Sequence, residues 1–230
     1  MACIRIARLG SLATLIALAI AACTASPAAL GAGPRAHAAH CANSSSFHAS
    51  HQGTHGGTKH KSCVRHRALQ HGPCRNTKLV PSTSNLAQVR AATLCLINRE
   101  RGAHGESPLR SNQHLERAAQ GHSESMAFDD YFDHIGPGGQ TPLARMRAAG
   151  YIYSSRIGFE IGENIAWGTL WLATPKAIVA AWMASPGHRA NILDANFRET
   201  AIGVSPHPPA SLAHGQAGGV YTQDFGVIER

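Results

Sequence analysis

A break in composition near residue 85 decides which part of this chain can build a core. Residues 39–84 are rich in His, Ser, Gly, Lys and Arg and poor in large apolar side chains. Such a segment cannot bury enough surface to offset chain entropy, so it reads as a disordered or disulfide-looped linker. From Leu86 onward apolar residues return at regular spacing, which makes 85–230 the expected folded domain. Charge breaks at nearly the same place. Up to Arg99 the chain holds eleven Lys or Arg and no acid, whereas residues 100–230 hold ten basic and thirteen acidic residues. The formal net charge of +8 therefore belongs to the N-terminal part. A basic arm of this kind suits anionic envelope polymers or phospholipid head groups. Eight of the fifteen histidines fall between His37 and His71, a pattern open to weak metal capture, a pH-dependent cationic arm or a solubilising linker.

The first 38 residues read as a targeting segment. Arg5 and Arg8 make a short positive region, and Leu9 to Ala22 form an uncharged apolar run too short for a comfortable membrane span. Two exits are open. Ala36-His37-Ala38 fits a small-x-small cleavage site and free secretion. Ile20-Ala21-Ala22-Cys23 resembles a lipobox, which would leave Cys23 lipidated and the protein tethered to the cell envelope. Export argues against nucleic acid as a partner, and no folded nucleic-acid module is visible. Either exit leaves Cys41, Cys63, Cys74 and Cys95. An even cysteine count in an exported chain reads as disulfides, with three connectivities open. The expected pairs are Cys74–Cys95 and Cys41–Cys63, against a reading as reduced, buried thiols. No Cys-x-x-Cys pair points to zinc.

Within the domain, Leu86, Val89, Thr93, Leu96 and Ile97 predict a first helix ending near Gly102. Leu115, Ala118, Ala119, His122 and Met126 form a second helical stripe. Thr141-Pro142 and Thr174-Pro175 each supply an N-cap followed by a proline in the first turn. Gly150 closes one of these helices and Pro186-Gly187 the other. Ala201 to Val204 and Gly219 to Ile228 read as strands around a turn-rich loop. Helices first and strands later suit an α+β fold with an antiparallel sheet.

Three stretches carry ionisable groups among glycines and apolar residues. They are Gly162-Glu163-Asn164-Ile165-Ala166, Trp182 to Arg189, and Tyr131-Phe132-Asp133-His134 before Gly136-Pro137-Gly138-Gly139. A carboxylate beside an apolar strand needs a donor, a cation or a proton. Glu163, His134 and His188 leave three readings open. With a water they match the ligand types of an open zinc site, although no His-Glu-x-x-His is present. Ser185 as nucleophile, His188 as base and Glu163 as orienter would be a hydrolase, although no Gly-x-Ser-x-Gly elbow is present. Or the groups satisfy one another in a polar cluster. His122 reads as a core histidine, Gln223 and Asp224 as sheet-edge groups, and Trp167, Trp171 and Trp182 as packing groups.

The ordered motifs "LCLINRERGAHG", "YFDHIGPGGQTPLARMRAAGY", "GENIAWG", "WMASPGHRANIL" and "GGVYTQDFG" resemble the bacterial branch of the CAP superfamily, the SCP-like domain of cysteine-rich secretory proteins, antigen 5 and pathogenesis-related proteins. The resemblance covers residues 85–230. It implies a three-layer α-β-α sandwich with a central antiparallel sheet flanked by helices. It also implies a cleft with a His, Glu, Glu, His tetrad that holds zinc or another divalent metal in some members. His134, Glu163 and His188 look like three of the four, and the remaining glutamate position falls on Ser185. Family functions vary and are often non-enzymatic. The leading expectation is an exported domain that binds a small apolar, lipid-like or cell-envelope ligand, with a metal at His134, Glu163 and His188. The rival is a metal-assisted hydrolase of envelope peptide or ester bonds, with Glu163 as general base and Ser185 orienting water. A third reading is a purely structural extracellular domain.

Overall fold

The structure is a computed structural model that describes residues 2–8 and 72–229. The first helix, α1 (Leu86–Ala103), buries Val89, Thr93 and Ile97 of the predicted stripe, with Ala92 beside them, and leaves Leu86 and Leu96 half-buried. The second, α2 (Gln113–Phe128), starts where the Asn112 side chain accepts from the His114 and Leu115 N–H groups. Both Thr-Pro signals start helices. The Thr141 hydroxyl caps α3 (Pro142–Ala148) and the Thr174 hydroxyl caps α4 (Pro175–Ala184). Gly150, at φ 82°, follows α3 in the left-handed region that a side chain resists. Pro186 does stop α4, but it also opens a helix that the sequence reading lacks, α5 (Pro186–Leu193), because a proline is as well suited to a first turn as to a stop.

The strands are β1 (Ala2–Arg8), β2 (Arg110–Ser111), β3 (Gly158–Thr169), β4 (Glu199–Ser205) and β5 (Gly218–Glu229), with a short helix α6 (Ala210–Ala213) in the loop before β5. They form one sheet in the order β1-β3-β5-β4-β2. All pairings are antiparallel except the two-residue β2–β4 contact. Residues 2–8, the start of the expected leader, pair with β3 at the edge, where Arg5 meets Glu160 and Asp194 and lies over the Phe197 ring. The rest of the leader lies outside the described residues.

Alternation along the strands sends side chains to two cores. Ala166, Val204, Tyr221 and Phe225 pack with α1, α4 and α5 through Val89, Ile97, Trp182 and Ile192. Phe159, Ile161 and Ala201 pack on the other face with α2 and α3 through Leu115, Ala118 and Met146. This is the expected three-layer α-β-α sandwich. Cys74–Cys95 is a disulfide that ties the segment before α1 to that helix, whereas Cys41 and Cys63 lie outside the described residues.

The α2 layer lies so close to the sheet that Gly203 has no room for a side chain. A Cβ there would stand 2.2 Å from the Ala119 backbone. Gly203→Ala must push α2 off β4, and an overpacked site of this kind costs about 1–3 kcal/mol. Chemical denaturation should show that loss, and an unchanged midpoint would mean that the helix shifts freely.

Candidate functional site

Glu163 sits in the middle of β3, fully buried, with its side chain on the α2–α3 face. Its Oε1 lies 2.6 Å from His134 Nδ1, and its Oε2 accepts from Arg145 Nη2 at 2.7 Å. His122 on α2 brings Nε2 to within 3.9 Å of Oε1. Arg145, on α3, does more than neutralise the carboxylate. It also donates to the His134 carbonyl at 3.0 Å and the Gln140 carbonyl at 2.8 Å, so it clamps the glycine-rich loop over Glu163. Asp133 turns that loop by accepting from the Ile135 N–H at 2.8 Å.

Across the sheet, Glu163 stands in register with Asp224 of β5, also fully buried and on the same face. Two carboxylates at this distance from water cannot both ionise cheaply. Burial raises the Glu163 pKa, but the His134 hydrogen bond and the charges of Arg145, His122 and His134 outweigh it and bring the group to about 2. Burial and the neighbouring Glu163 charge push Asp224 well above the usual carboxylate range. Of the two, the surroundings of Glu163 favour the carboxylate and those of Asp224 favour the proton. Burial also lowers His122, against the pull of Glu163, to about 4, so this imidazole is neutral at pH 7. Its Nδ1 lies 3.3 Å from the Tyr131 hydroxyl.

The residues expected to share a cleft are divided by the sheet. His134 and Glu163 meet. Asn164, the next residue on β3, points to the opposite face, where its amide donates to the His188 carbonyl at 3.2 Å and accepts from Asn191 at 2.9 Å. His188 and Ser185 are on that second face, with His188 Nδ1 2.8 Å from Ser185 Oγ. The Ser185–His188 contact is present, but Glu163 does not stand behind it as an orienter.

The zinc set of His134, Glu163 and His188 does not fit this geometry. His188 lies across the sheet, and Glu163 has one oxygen on His134 and the other 2.7 Å from a guanidinium. Among the described residues no three His, Cys, Asp or Glu side chains are grouped to hold a metal.

Three groups of the cluster escaped the sequence reading. His122 is a buried member of it, not merely a core histidine. Asp224 is not at a sheet edge, because β5 runs between β3 and β4. Arg145 gave no local signal beyond its place in the "TPLARMRAAGY" motif.

The sequence profile of the cysteine-rich secretory protein family, CAP, matches residues 94–225. With the α-β-α sandwich and the GEN carboxylate at its centre, this chain belongs to the CAP family. Among its relatives is YkwD, an uncharacterised protein of Bacillus subtilis, 32% identical over 171 residues, which are 73% of this chain and 60% of YkwD. YlbC, an uncharacterised membrane protein of the same organism, is 31% identical over 112 residues, 48% of this chain and 30% of YlbC. The chain thus spans less than two thirds of the length of either relative. A solved extracellular protein containing an SCP domain, from Bacillus anthracis, is 25% identical with a TM-score of 0.48, over 65% of this chain and 44% of that one. An outer surface protein of Borrelia burgdorferi has a TM-score of 0.48 at 17% identity, over 66% of this chain and 96% of that one. No helix among the described residues is long and apolar enough to cross a membrane.

Proposed function

We propose that this chain is an exported CAP domain that binds an apolar or lipid-like cell-envelope ligand and is not a hydrolase. The state of Glu163 carries the reading. A general base for hydrolysis works best with a pKa near the working pH and a free lone pair facing water. Glu163 has a pKa lowered to about 2, no exposed surface, and both oxygens engaged by His134 and Arg145. It holds the His134 loop in place. That loop and the end of α2 offer the ligand surface: Phe128 is 90% exposed and Ile135 41%, beside the half-buried Tyr131 and Phe132. Export is supported by the leader pattern in the sequence.

The test has two arms. The full chain, with and without added zinc, should turn over none of a panel of peptide and ester substrates. Turnover that Glu163→Gln abolishes while circular dichroism stays native would sink the proposal. In the second arm, an environment-sensitive fatty-acid probe should bind, and Phe128→Ser with Ile135→Ser should weaken it by about tenfold or more, since one buried apolar side chain alone is worth about that much. Probe affinity unchanged in that variant would place the ligand elsewhere.

A further inference from the structure

The connection between β3 and α4 presents three apolar side chains to solvent. Leu170 is 51% exposed, Trp171 70% and Leu172 48%, on a single helical turn. The turn is firmly held. The Leu170 N–H donates to the Ala217 carbonyl at 2.7 Å, and the Thr174 N–H and hydroxyl donate to the Trp171 carbonyl at 3.3 and 2.8 Å. Ala173, fully buried, accepts from the Tyr221 hydroxyl at 2.6 Å. Leu170 has φ 51°, in a region that a branched side chain disfavours. The backbone is thus fixed in an unfavourable conformation with its apolar groups facing water.

The surroundings of the turn are basic. The Lys176 N–H donates to the Thr77 carbonyl at 2.9 Å, which sets the segment before α1 against the start of α4. Arg75, Lys78 and Lys176 are all exposed there. The loop that anchors Leu170 contributes exposed His214, Gly215, Gln216 and Ala217. No Asp or Glu occurs at 164–193, at 200–223 or before Glu100, so the segments that frame the turn bring positive charge and no acid. Asp130, which reaches this loop at Ser211, already has its carboxylate on the Ser211 N–H and hydroxyl at 2.8 and 3.0 Å.

We propose that Leu170-Trp171-Leu172 is an interfacial anchor for an anionic lipid bilayer, with Arg75, Lys78 and Lys176 against the lipid phosphates. Tryptophan favours the head-group region, where an apolar ring and a polar N–H are both satisfied. Lysines and arginines close to an anionic surface each add about fivefold to affinity. A soluble anionic polymer would use the basic residues and leave the three apolar groups in water, so the combination favours lipid. The anchor uses other residues than the Phe128–Ile135 loop and goes beyond the ligand reading, whose failure would leave it standing.

Depth-dependent quenching tests it on the full chain. Vesicles of phosphatidylglycerol with brominated acyl chains should quench part of the tryptophan emission, and brominated phosphatidylcholine should quench it far less. Trp171→Phe should remove the quenched part, because Trp182 is buried and Trp167 half-buried. Lys78→Gln with Lys176→Gln should raise the lipid concentration needed by roughly tenfold or more, as should salt at about 0.5 M. The expected leader contains no tryptophan, so any vesicle binding of its own does not report in this assay. Sedimentation with vesicles while the emission stays unquenched would overturn the anchor. So would quenching that persists in Trp171→Phe. Capture by soluble polyglycerol phosphate without vesicle quenching would assign the basic patch to a polymer and overturn it as well.

Discussion

Arg145→Met destabilises the domain by about 3–5 kcal/mol, the scale of a buried ion pair broken from one side. Methionine roughly matches the length of the arginine stem, so packing alone does not account for the loss. What goes is the cation at 2.7 Å from Glu163 and the clamp on the His134 and Gln140 carbonyls. Glu163 would then be a buried anion with Asp224 in register beside it and His134 as its remaining close donor. It would escape by taking a proton, so the variant should also bind a proton near neutral pH that the parent does not. Urea denaturation at pH 7 measures the loss. The double variant Arg145→Met with Glu163→Gln should recover much of it, because the uncompensated charge is gone. A loss below about 1 kcal/mol for Arg145→Met would mean that the pair contributes little beyond the cost of its own desolvation.

The cluster also shows which parts of this molecule the sequence states and which it hides. Helix starts are local chemistry, and Thr141-Pro142 and Thr174-Pro175 begin helices as their residue types require. The five motifs identify the CAP domain, and the fold they imply is present. Grouping of the site depends on strand parity and strand order, which are not local. Glu163 shares a face with Ile161 and Ile165, and Asn164 takes the other, so the His188 helix meets Asn164 and not the carboxylate. The period-2 alternation of a strand would have exposed this split had β3 been carried through the GEN motif. Asp224 looked peripheral because it is close to the C-terminus. In the sheet its strand is central, with β3 on one side and β4 on the other. Arg145 lies eighteen residues from its carboxylate partner on another element, a separation that carries no sequence signature.

His122 makes the same cluster sensitive to acid. It is fully buried beneath Tyr131, and burial first, then the nearby Arg145 and His134 charges, hold it down to about 4 despite Glu163. An unfolded histidine titrates near 6.5. Between those two values the unfolded chain binds a proton that the folded chain refuses, so stability is complete above about pH 6.5 and falls as the pH drops toward 4. A separation of about 2.5 pH units corresponds to about 3 kcal/mol over that window. Two neighbours act differently. Glu163, with its pKa lowered to about 2, gives stability that is lost only as the pH falls below its ordinary carboxylate range. Asp224, with its pKa raised, works against His122, because the folded chain keeps that proton after the unfolded chain has lost it. Comparison with His122→Leu separates the contributions, since both carboxylates are present in either protein. On going from pH 7 to about pH 4, the parent should lose about 3 kcal/mol more than the variant by urea denaturation. Parallel loss in the two proteins would show that His122 takes its proton inside the fold, and that the cavity around Glu163 admits a second cation.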